Sequence, residues 1–135
     1  VDASNAKGEG TLILLPLDPD ASASAIRDSL RDRTGRDVGV IVSDSFGRPF
    51  RQGTTDVALG VAGVTPLLNL IGVSDSAGYT LHATQIAVAD EIAAAAELVL
   101  GKVRGIPAAV VRGLDVRGEG SGQDIVIPAE RDLFR

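Results

Sequence analysis

A chain of 135 residues with 44% hydrophobic residues is long enough for one domain with a packed core, and its net charge is −5. That charge argues against a nucleic-acid partner, because a phosphate backbone requires a basic surface. The absence of Cys excludes disulfides and thiolate metal sites and is typical of a cytoplasmic protein, and no apolar run approaches the roughly 18 residues of a membrane span.

The first third of the chain predicts a β-α-β unit. Thr11–Leu15 and Val38–Val42 are short apolar runs, and a helical pattern lies between them. Strands joined by such a crossover are parallel, and the connection is right-handed. The second run lacks polar alternation, which predicts a strand that is buried on both faces.

The helix of this unit has clear start and stop signals. Its apolar positions predict a helix from about Ala21 to Thr34. Asp18 or Asp20 is expected to cap its N-terminus, and Gly35 is expected to close its C-terminus in the left-handed conformation.

A polar cluster follows the second predicted strand. Ser43–Ser45 places a carboxylate and two hydroxyls where the strand is expected to end, and Arg48 and Arg51 flank the next turn. Asp56 then precedes another apolar run, Val57–Val61. Carboxylates, hydroxyls and arginines are the groups that hold a metal ion and an anionic ligand. A salt-bridged turn is an alternative explanation of the same pattern.

The middle of the chain predicts a hairpin. Leu67–Ile71 is a strand candidate, Ser74–Gly78 has the composition of a turn, and Tyr79–Ala83 is a candidate for the returning strand. The single histidine, His82, is expected at a solvent-facing position rather than as a ligand or a base, because the chain contains no second His and no Cys.

A long Ala-rich helix is predicted from Gln85 to Leu100, with Thr84 as its N-cap. Asp90 and Glu91 are expected to be surface carboxylates of this helix. The small alanine side chains allow a neighbouring element to approach closely. The predicted apolar stripe consists of Ile92, Ala96, Val99 and Val103.

The last third of the chain predicts two short strands around a glycine-rich loop. The strands are Ala108–Val111, expected to be buried, and Asp124–Ile127. The backbone of the loop, Gly118–Gln123, can present N–H groups to a phosphate, although a flexible connection explains its composition equally well. The loop matches neither the P-loop nor the dinucleotide-binding fingerprint. Together these elements predict one α+β domain with mixed sheets.

Several segments resemble the coenzyme F420-0 γ-glutamyl ligase family. The resemblance covers nearly the whole chain, and its second and third motifs are specific. The matching segments are Val1–Asn5, Ser43–Pro49, Gly53–Gly63 and Ala87–Glu91, with Asp132–Phe134 resembling the end of the ligase domain.

The resemblance implies an enzyme of F420 biosynthesis. Members of this family use GTP and a divalent metal, Mg²⁺ or Mn²⁺, to attach L-glutamate to F420-0, and an acyl phosphate is thought to be the intermediate. Their fold is described as an intertwined dimer, which implies a homodimer here. Hard oxygen ligands suit both metals, and two ions can neutralise a triphosphate that faces an acidic protein.

The resemblance also implies roles for particular residues. Asp2 and Asp44 would hold one metal ion and Ser45 a second, while Asn5 would contact the nucleotide. It identifies no catalytic acid, base or nucleophile. Further candidates come from residue chemistry: Arg48 and Arg51 as phosphate or carboxylate clamps, Gly120 and Gln123 as nucleotide contacts, and Asp56 and Glu119 as additional polar groups.

Residues 1–135 resemble only the C-terminal portion of the ligase domain. In this family the N-terminal portion contributes nucleotide contacts, and three alternatives stay open for it: another segment or chain supplies it, it was cleaved off, or it never existed. Some relatives also carry a flavin-binding domain after the ligase. A chain with half of the nucleotide site is expected to be incomplete as an enzyme. Two alternatives remain open: a non-catalytic assembly domain of the same family, and a metal-dependent phosphate-ester hydrolase.

Overall fold

The fold is organised around an antiparallel hairpin. In the computed structural model, which describes residue 4 and residues 6–133, β1 (Val40–Gly47) pairs with β2 (Thr54–Ala62). The ladder runs from Val40 opposite Ala62 to the turn, and its register shifts after Val42. Such a bulge bends the hairpin and increases its twist.

A second, smaller hairpin follows the first in the chain. Its paired strands are β3 (Leu68–Asn69) and β4 (Gln85–Ile86), which are antiparallel. An isolated bridge between Ser74 and Thr80 closes the turn at the far end. The predicted turn is confirmed, and the chain returns beside residues 72–74, but Tyr79–Ala83 contains only the bridge residue Thr80, so the expectation of a strand there is wrong. His82 is exposed as expected.

The first helix, α1 (Pro19–Thr34), has the predicted caps. The backbone N–H of Ala21 donates to Asp18 Oδ1 at 2.8 Å, which identifies Asp18 as the N-cap. Gly35 follows the last turn with a φ of 66°, a left-handed conformation that glycine adopts at little cost.

The second helix is shorter than predicted. It is α2 (Val88–Leu100), so the expectation that it starts at Gln85 under a Thr84 cap is wrong. Ala87 occupies the N-cap without a side-chain hydrogen bond. The first two predicted helical residues form β4 instead, because pairing with β3 satisfies their backbone groups.

Both helices pack against β2, and the resulting core is small. Val61, Val64 and Ala89 form a buried cluster, and Ala23 and Ala93 are the buried residues of the two helices. The predicted stripe on α2 is wrong at its C-terminal end, since Val99 and Val103 are 57% and 93% exposed. So little buried apolar area stabilises a chain of this length only weakly.

The predicted β-α-β unit is wrong. Residues 11–15 contain one isolated bridge residue, Ile13, and no strand. Residues 48–53 connect β1 to β2, and the two strands pair antiparallel. Both sheets among the described residues are antiparallel rather than mixed. A hairpin needs only a short turn, whereas a parallel crossover needs a buried partner strand that residues 11–15 do not provide.

The expected strands in the last third are wrong as well. Residues 108–111 have no regular secondary structure and are exposed. Gly122–Ile125 forms a short 3-10 helix, and Ala129–Arg131 forms another. No helix among the described residues is long and apolar enough to cross a membrane.

Candidate functional site

The candidate site is a cleft beside the middle of β1. It has a volume of about 250 Å³. Residues 13–16, which precede α1, form one wall of the cleft. Residues 42–44 of β1 and Leu59 of β2 form another. Its polar lining residues are Ser4, Ser43, Asp44 and Lys102. The cleft thus combines the carboxylate of Asp44 with the ammonium group of Lys102 and the hydroxyl of Ser4, whereas the Ser43 hydroxyl donates to Asp56 on the other face of the hairpin. This set suits a polar or charged ligand.

Asp44 lies within β1 rather than at its C-terminal tip, which corrects the predicted strand end. It pairs with Val57, and its Oδ1 accepts a hydrogen bond from the backbone N–H of Ser45 at 2.8 Å. Side chains alternate between the two faces of a strand, so Asp44 and Ser45 project to opposite sides. Their side chains therefore do not line the same face of β1, and Ser45 is not among the residues that line the cleft.

The opposite face of the hairpin carries a buried polar pair. Ser43 Oγ donates to Asp56 Oδ2 at 3.0 Å, and Asp56 is only 8% exposed. Ser45 stands directly across from Asp56 in the register. The hydrogen bond gives Asp56 a structural role in joining the two strands.

The two candidate clamps lie in the turn of the hairpin. Arg48 and Arg51 are both exposed, and neither lines the Asp44 cleft. Arg48 Nη2 donates to the carbonyl oxygen of Gln52 over 3.5 Å, a weak contact. Phe50 between them has a φ of 59° and is 96% exposed. The turn therefore presents its cations to solvent outside the cleft.

The glycine-rich loop packs against β2 and is not a loose connection. Asp20 Oδ1 accepts hydrogen bonds from the N–H groups of Val61 and Gly122 at 2.8 and 2.9 Å, and its Oδ2 accepts one from Ser121 Oγ at 2.6 Å. Burial would raise the pKa of Asp20, but these hydrogen bonds to the ionised form outweigh it and lower the pKa.

The loop's candidate residues occupy different surroundings. Gly120 packs so closely on Pro66 that a Cβ would not fit, while Gln123 is exposed in the 3-10 helix. Glu119 lines a second cleft at the open end of the first hairpin. The structure therefore does not bring these three residues to the Asp44 cleft.

The metal prediction depends partly on residues that the structure does not describe. Asp2 and Asn5 lie outside the described part of the chain. Within residue 4 and residues 6–133, no three His, Cys, Asp or Glu side chains cluster to hold a metal ion. Asp44 fits a hard cation through its carboxylate, and a second carboxylate would have to come from elsewhere.

Two carboxylates accept hydrogen bonds from backbone N–H groups of β2, a role that the sequence did not predict for them. Asp20 accepts from Val61 N, and Asp90 Oδ1 accepts from Ala58 N at 2.9 Å. The expectation that Asp90 is an ordinary surface carboxylate is therefore wrong, whereas Glu91 is exposed as expected. Both aspartates lie in the first turn of a helix, and that position was the available sequence signal.

The hairpin, its two helices and the Asp44 cleft define an α+β chain with a candidate site for a cation or a charged ligand. Its sequence matches the family described as F420-0:Gamma-glutamyl ligase over residues 1–113. Because the match covers most of its length, the chain belongs to this family.

Similar proteins include three archaeal enzymes, each named coenzyme F420:L-glutamate ligase. The chain is 48% identical to the one from Archaeoglobus fulgidus and 45% identical to those from Methanothermobacter thermautotrophicus and Methanocaldococcus jannaschii. Each alignment covers 100% of this chain but only 54%, 55% and 54% of the respective relative. The chain thus spans about half the length of these curated relatives.

Proposed function

We propose that this chain is part of a ligase that attaches L-glutamate to coenzyme F420-0 during F420 biosynthesis, using GTP and Mg²⁺ or Mn²⁺. Family membership and 45–48% identity to coenzyme F420:L-glutamate ligases support the reaction class. The observation that carries the proposal is the position of Asp44, a half-buried carboxylate on the wall of a cleft that also contains Lys102.

The reaction requires activation, because an amine does not displace oxygen from a carboxylate in water. In the proposed sequence, a carboxylate oxygen of F420-0 attacks the γ-phosphorus of GTP, and GDP leaves. The amine of glutamate then attacks the acyl carbon, loses a proton, and displaces inorganic phosphate. Catalysis of such a transfer depends mainly on positioning and on charge stabilisation.

The chain's residues would hold the charged reactants. Asp44 and Asp2 would bind one metal ion and Ser45 a second, and bound metal would supply positive charge to the phosphates. Lys102 adds a cation on the cleft wall. Arg48 and Arg51, in the neighbouring turn, would bind phosphate or carboxylate oxygens by charge-assisted hydrogen bonds. Asn5, Gly120 and Gln123 would contact the nucleotide, and no nucleotide contact is proposed for Glu119 or for Asp56, whose carboxylate accepts from Ser43.

We propose that the remaining nucleotide contacts come from the part of the relatives that the matched region does not include. The chain covers 54% of the Archaeoglobus fulgidus enzyme, so nearly half of that protein has no counterpart in this sequence. "Assembled protein" hereafter means this chain together with that remaining portion, joined to it or added as a second chain.

We further propose that two copies of the chain associate. Its accessible surface is 10,032 Å², about half as much again as the roughly 6,600 Å² expected for a compact monomer of its 13.8 kDa mass. Large apolar side chains contribute to the excess, including Leu14 at 70%, Leu98 at 79% and Val110 at 79% exposed. An obligate dimer interface buries surface of this extent and character. Sedimentation of a folded monomer at micromolar concentration would contradict the dimer.

The experiment that tests the function is glutamate addition to F420-0, followed by mass spectrometry. The chain alone should form no product, and the assembled protein should form it in the presence of GTP and Mn²⁺. Asp44→Asn in the assembled protein should remove the product, whereas Asp115→Asn, which alters an exposed carboxylate outside the cleft, should not.

Two results would change the interpretation. Ligation by the 135-residue chain alone would show that the site is complete within it. No ligation by the assembled protein would favour a non-catalytic assembly domain, for which the large exposed apolar surface is the supporting observation.

A further inference from the structure

A second cleft lies at the open end of the first hairpin and shares no lining residue with the Asp44 cleft. Its volume is about 250 Å³, below the roughly 300–1,000 Å³ of sites for drug-sized ligands, so it suits a small molecule. Two cations and two anions line it: Arg27, Arg117, Asp37 and Glu119.

Arg27 is held in place by three neighbours. Its Nη2 donates to Asp37 Oδ1 at 2.8 Å, and its Nε donates to the carbonyl oxygen of Val38 at 3.1 Å. A Cβ on Gly63 would lie 2.6 Å from the guanidinium carbon, so the glycine allows the side chain to rest on the backbone. A guanidinium has five N–H donors, and those not used here remain for a ligand.

The backbone that carries the opposite wall is also fixed. Arg117 forms an antiparallel bridge with Val64, and Thr65 N donates to the Val116 carbonyl at 2.9 Å. Gly118 packs so closely on Thr65 that a Cβ would overlap its hydroxyl. The hydrogen bonds of Asp20 hold the loop just beyond Glu119.

The charged side chains of this wall have no partner among the residues that the structure describes. Among residue 4 and residues 6–133, neither Arg117 nor Glu119 makes a side-chain hydrogen bond or an ion pair. One cation and one anion are therefore presented to the cleft on a fixed backbone. This arrangement suits a ligand that carries both charges.

We propose that this second cleft binds a zwitterionic α-amino acid, with its carboxylate on Arg27 and Arg117 and its ammonium group on Glu119. A polyanion such as phosphate fits less well, because Asp37 and Glu119 would repel it. The choice of L-glutamate as the amino acid rests on the proposed function. The cleft would then deliver the attacking amine to a reaction centre that the assembled protein completes.

The test is calorimetric titration of the assembled protein with L-glutamate, together with steady-state kinetics. Arg117→Ala and Glu119→Gln should each weaken glutamate binding and raise the KM for glutamate about tenfold or more, since each removes a charge-assisted hydrogen bond. The KM for GTP should change little. Arg112→Ala, an exposed arginine outside the cleft, is the matched control and should leave both constants unchanged.

The outcomes separate this proposal from the proposed function. Glutamate binding that Arg117→Ala and Glu119→Gln weaken, in a protein that forms no product, would support the cleft and contradict the ligase activity. Product formation with an unchanged KM for glutamate in both variants would support the ligase and overturn the cleft. An equal rise in the KM for GTP would also overturn it, because the residues would then act on the nucleotide.

Discussion

Asp20 Oδ1 accepts a hydrogen bond from the backbone N–H of Gly122 at 2.9 Å, although the two residues are 102 positions apart in the chain. The same carboxylate accepts from Val61 N and Ser121 Oγ. One side chain in the first turn of α1 therefore joins the helix, the central hairpin and the glycine-rich loop. We expect it to control where that loop lies.

Replacing Asp20 should destabilise the fold. Asp20→Ala leaves the N–H groups of Val61 and Gly122 without their acceptor, at a cost of about 1–3 kcal/mol in the free energy of unfolding. Asp28→Ala in the same helix removes only an exposed ion pair with Arg31 and should cost less than about 0.5 kcal/mol. Urea denaturation measures both. Equal effects of the two variants would show that the loop is held by other contacts.

Asp20 should also make stability depend on pH. Its pKa is lowered in the folded chain from an ordinary value of 3.8, so its contribution is fully present above that value. The contribution decreases as the pH falls through the lowered pKa, because the unfolded chain binds the proton first. As the pH falls from 3.8 to below the lowered pKa, the wild type should lose more stability than Asp20→Asn. Parallel losses in both proteins would assign the acid sensitivity to other carboxylates.

Gly60 marks the tightest contact between β2 and α1. A Cβ at this position would overlap the backbone carbonyl of Pro19. Gly60→Ala should therefore force α1 away from β2 and lower the free energy of unfolding by about 1–3 kcal/mol or more. Gly47 in the same hairpin has open space around its Cα and no positive φ. Gly47→Ala should therefore change stability by less than about 0.5 kcal/mol. Thermal unfolding of the two variants compares them directly, and a tolerated Gly60→Ala would contradict the close packing.

Asp90 should be more important to stability than its neighbour Glu91. Asp90→Ala leaves the backbone N–H of Ala58 without its acceptor and should cost about 1–3 kcal/mol. Glu91→Ala removes another acidic residue of the same first turn, but from an exposed position. Glu91→Ala should lower the free energy of unfolding by no more than the interaction of this carboxylate with the helix dipole, about 0.3–1 kcal/mol. If chemical denaturation ranks the two variants in the opposite order, the contact between α2 and β2 is weak.

Local signals in the sequence were sufficient for some elements. The caps of α1 act within a few residues, so Asp18, Pro19 and Gly35 predicted its limits well. The start of α2 depended instead on the pairing of Gln85 and Ile86 with a distant strand, which no local pattern records. Sequence pattern also could not distinguish a buried strand from the exposed apolar segment 108–111.

The sequence predicted part of the candidate site, namely Asp44, but not the second cleft. Asp44 was identifiable because polar residues follow an apolar run directly, and the structure places it on a cleft wall. Its strand continues to Gly47, because hairpin pairing extends β1 through the polar cluster. The second cleft was not predictable, since Arg27 and Arg117 are brought together only by the packing of α1 and the last third of the chain.

The last prediction concerns metal binding by Asp44. A divalent ion that binds only the folded protein should stabilise it by about 2.7 kcal/mol at a hundredfold excess over its Kd. Mn²⁺ should therefore raise the Tm of the assembled protein, and Asp44→Asn should abolish that rise while leaving the metal-free Tm nearly unchanged. The unchanged Tm is expected because, among the residues that the structure describes, the Asp44 carboxylate accepts only a local hydrogen bond from Ser45 N, in contrast to Asp20. Asp115→Asn controls for the loss of one negative charge and should respond to Mn²⁺ as the wild type does.

A full Mn²⁺ response in Asp44→Asn would show that this carboxylate is not a metal ligand, and the cleft would then have to bind phosphate through its ammonium and hydroxyl groups alone.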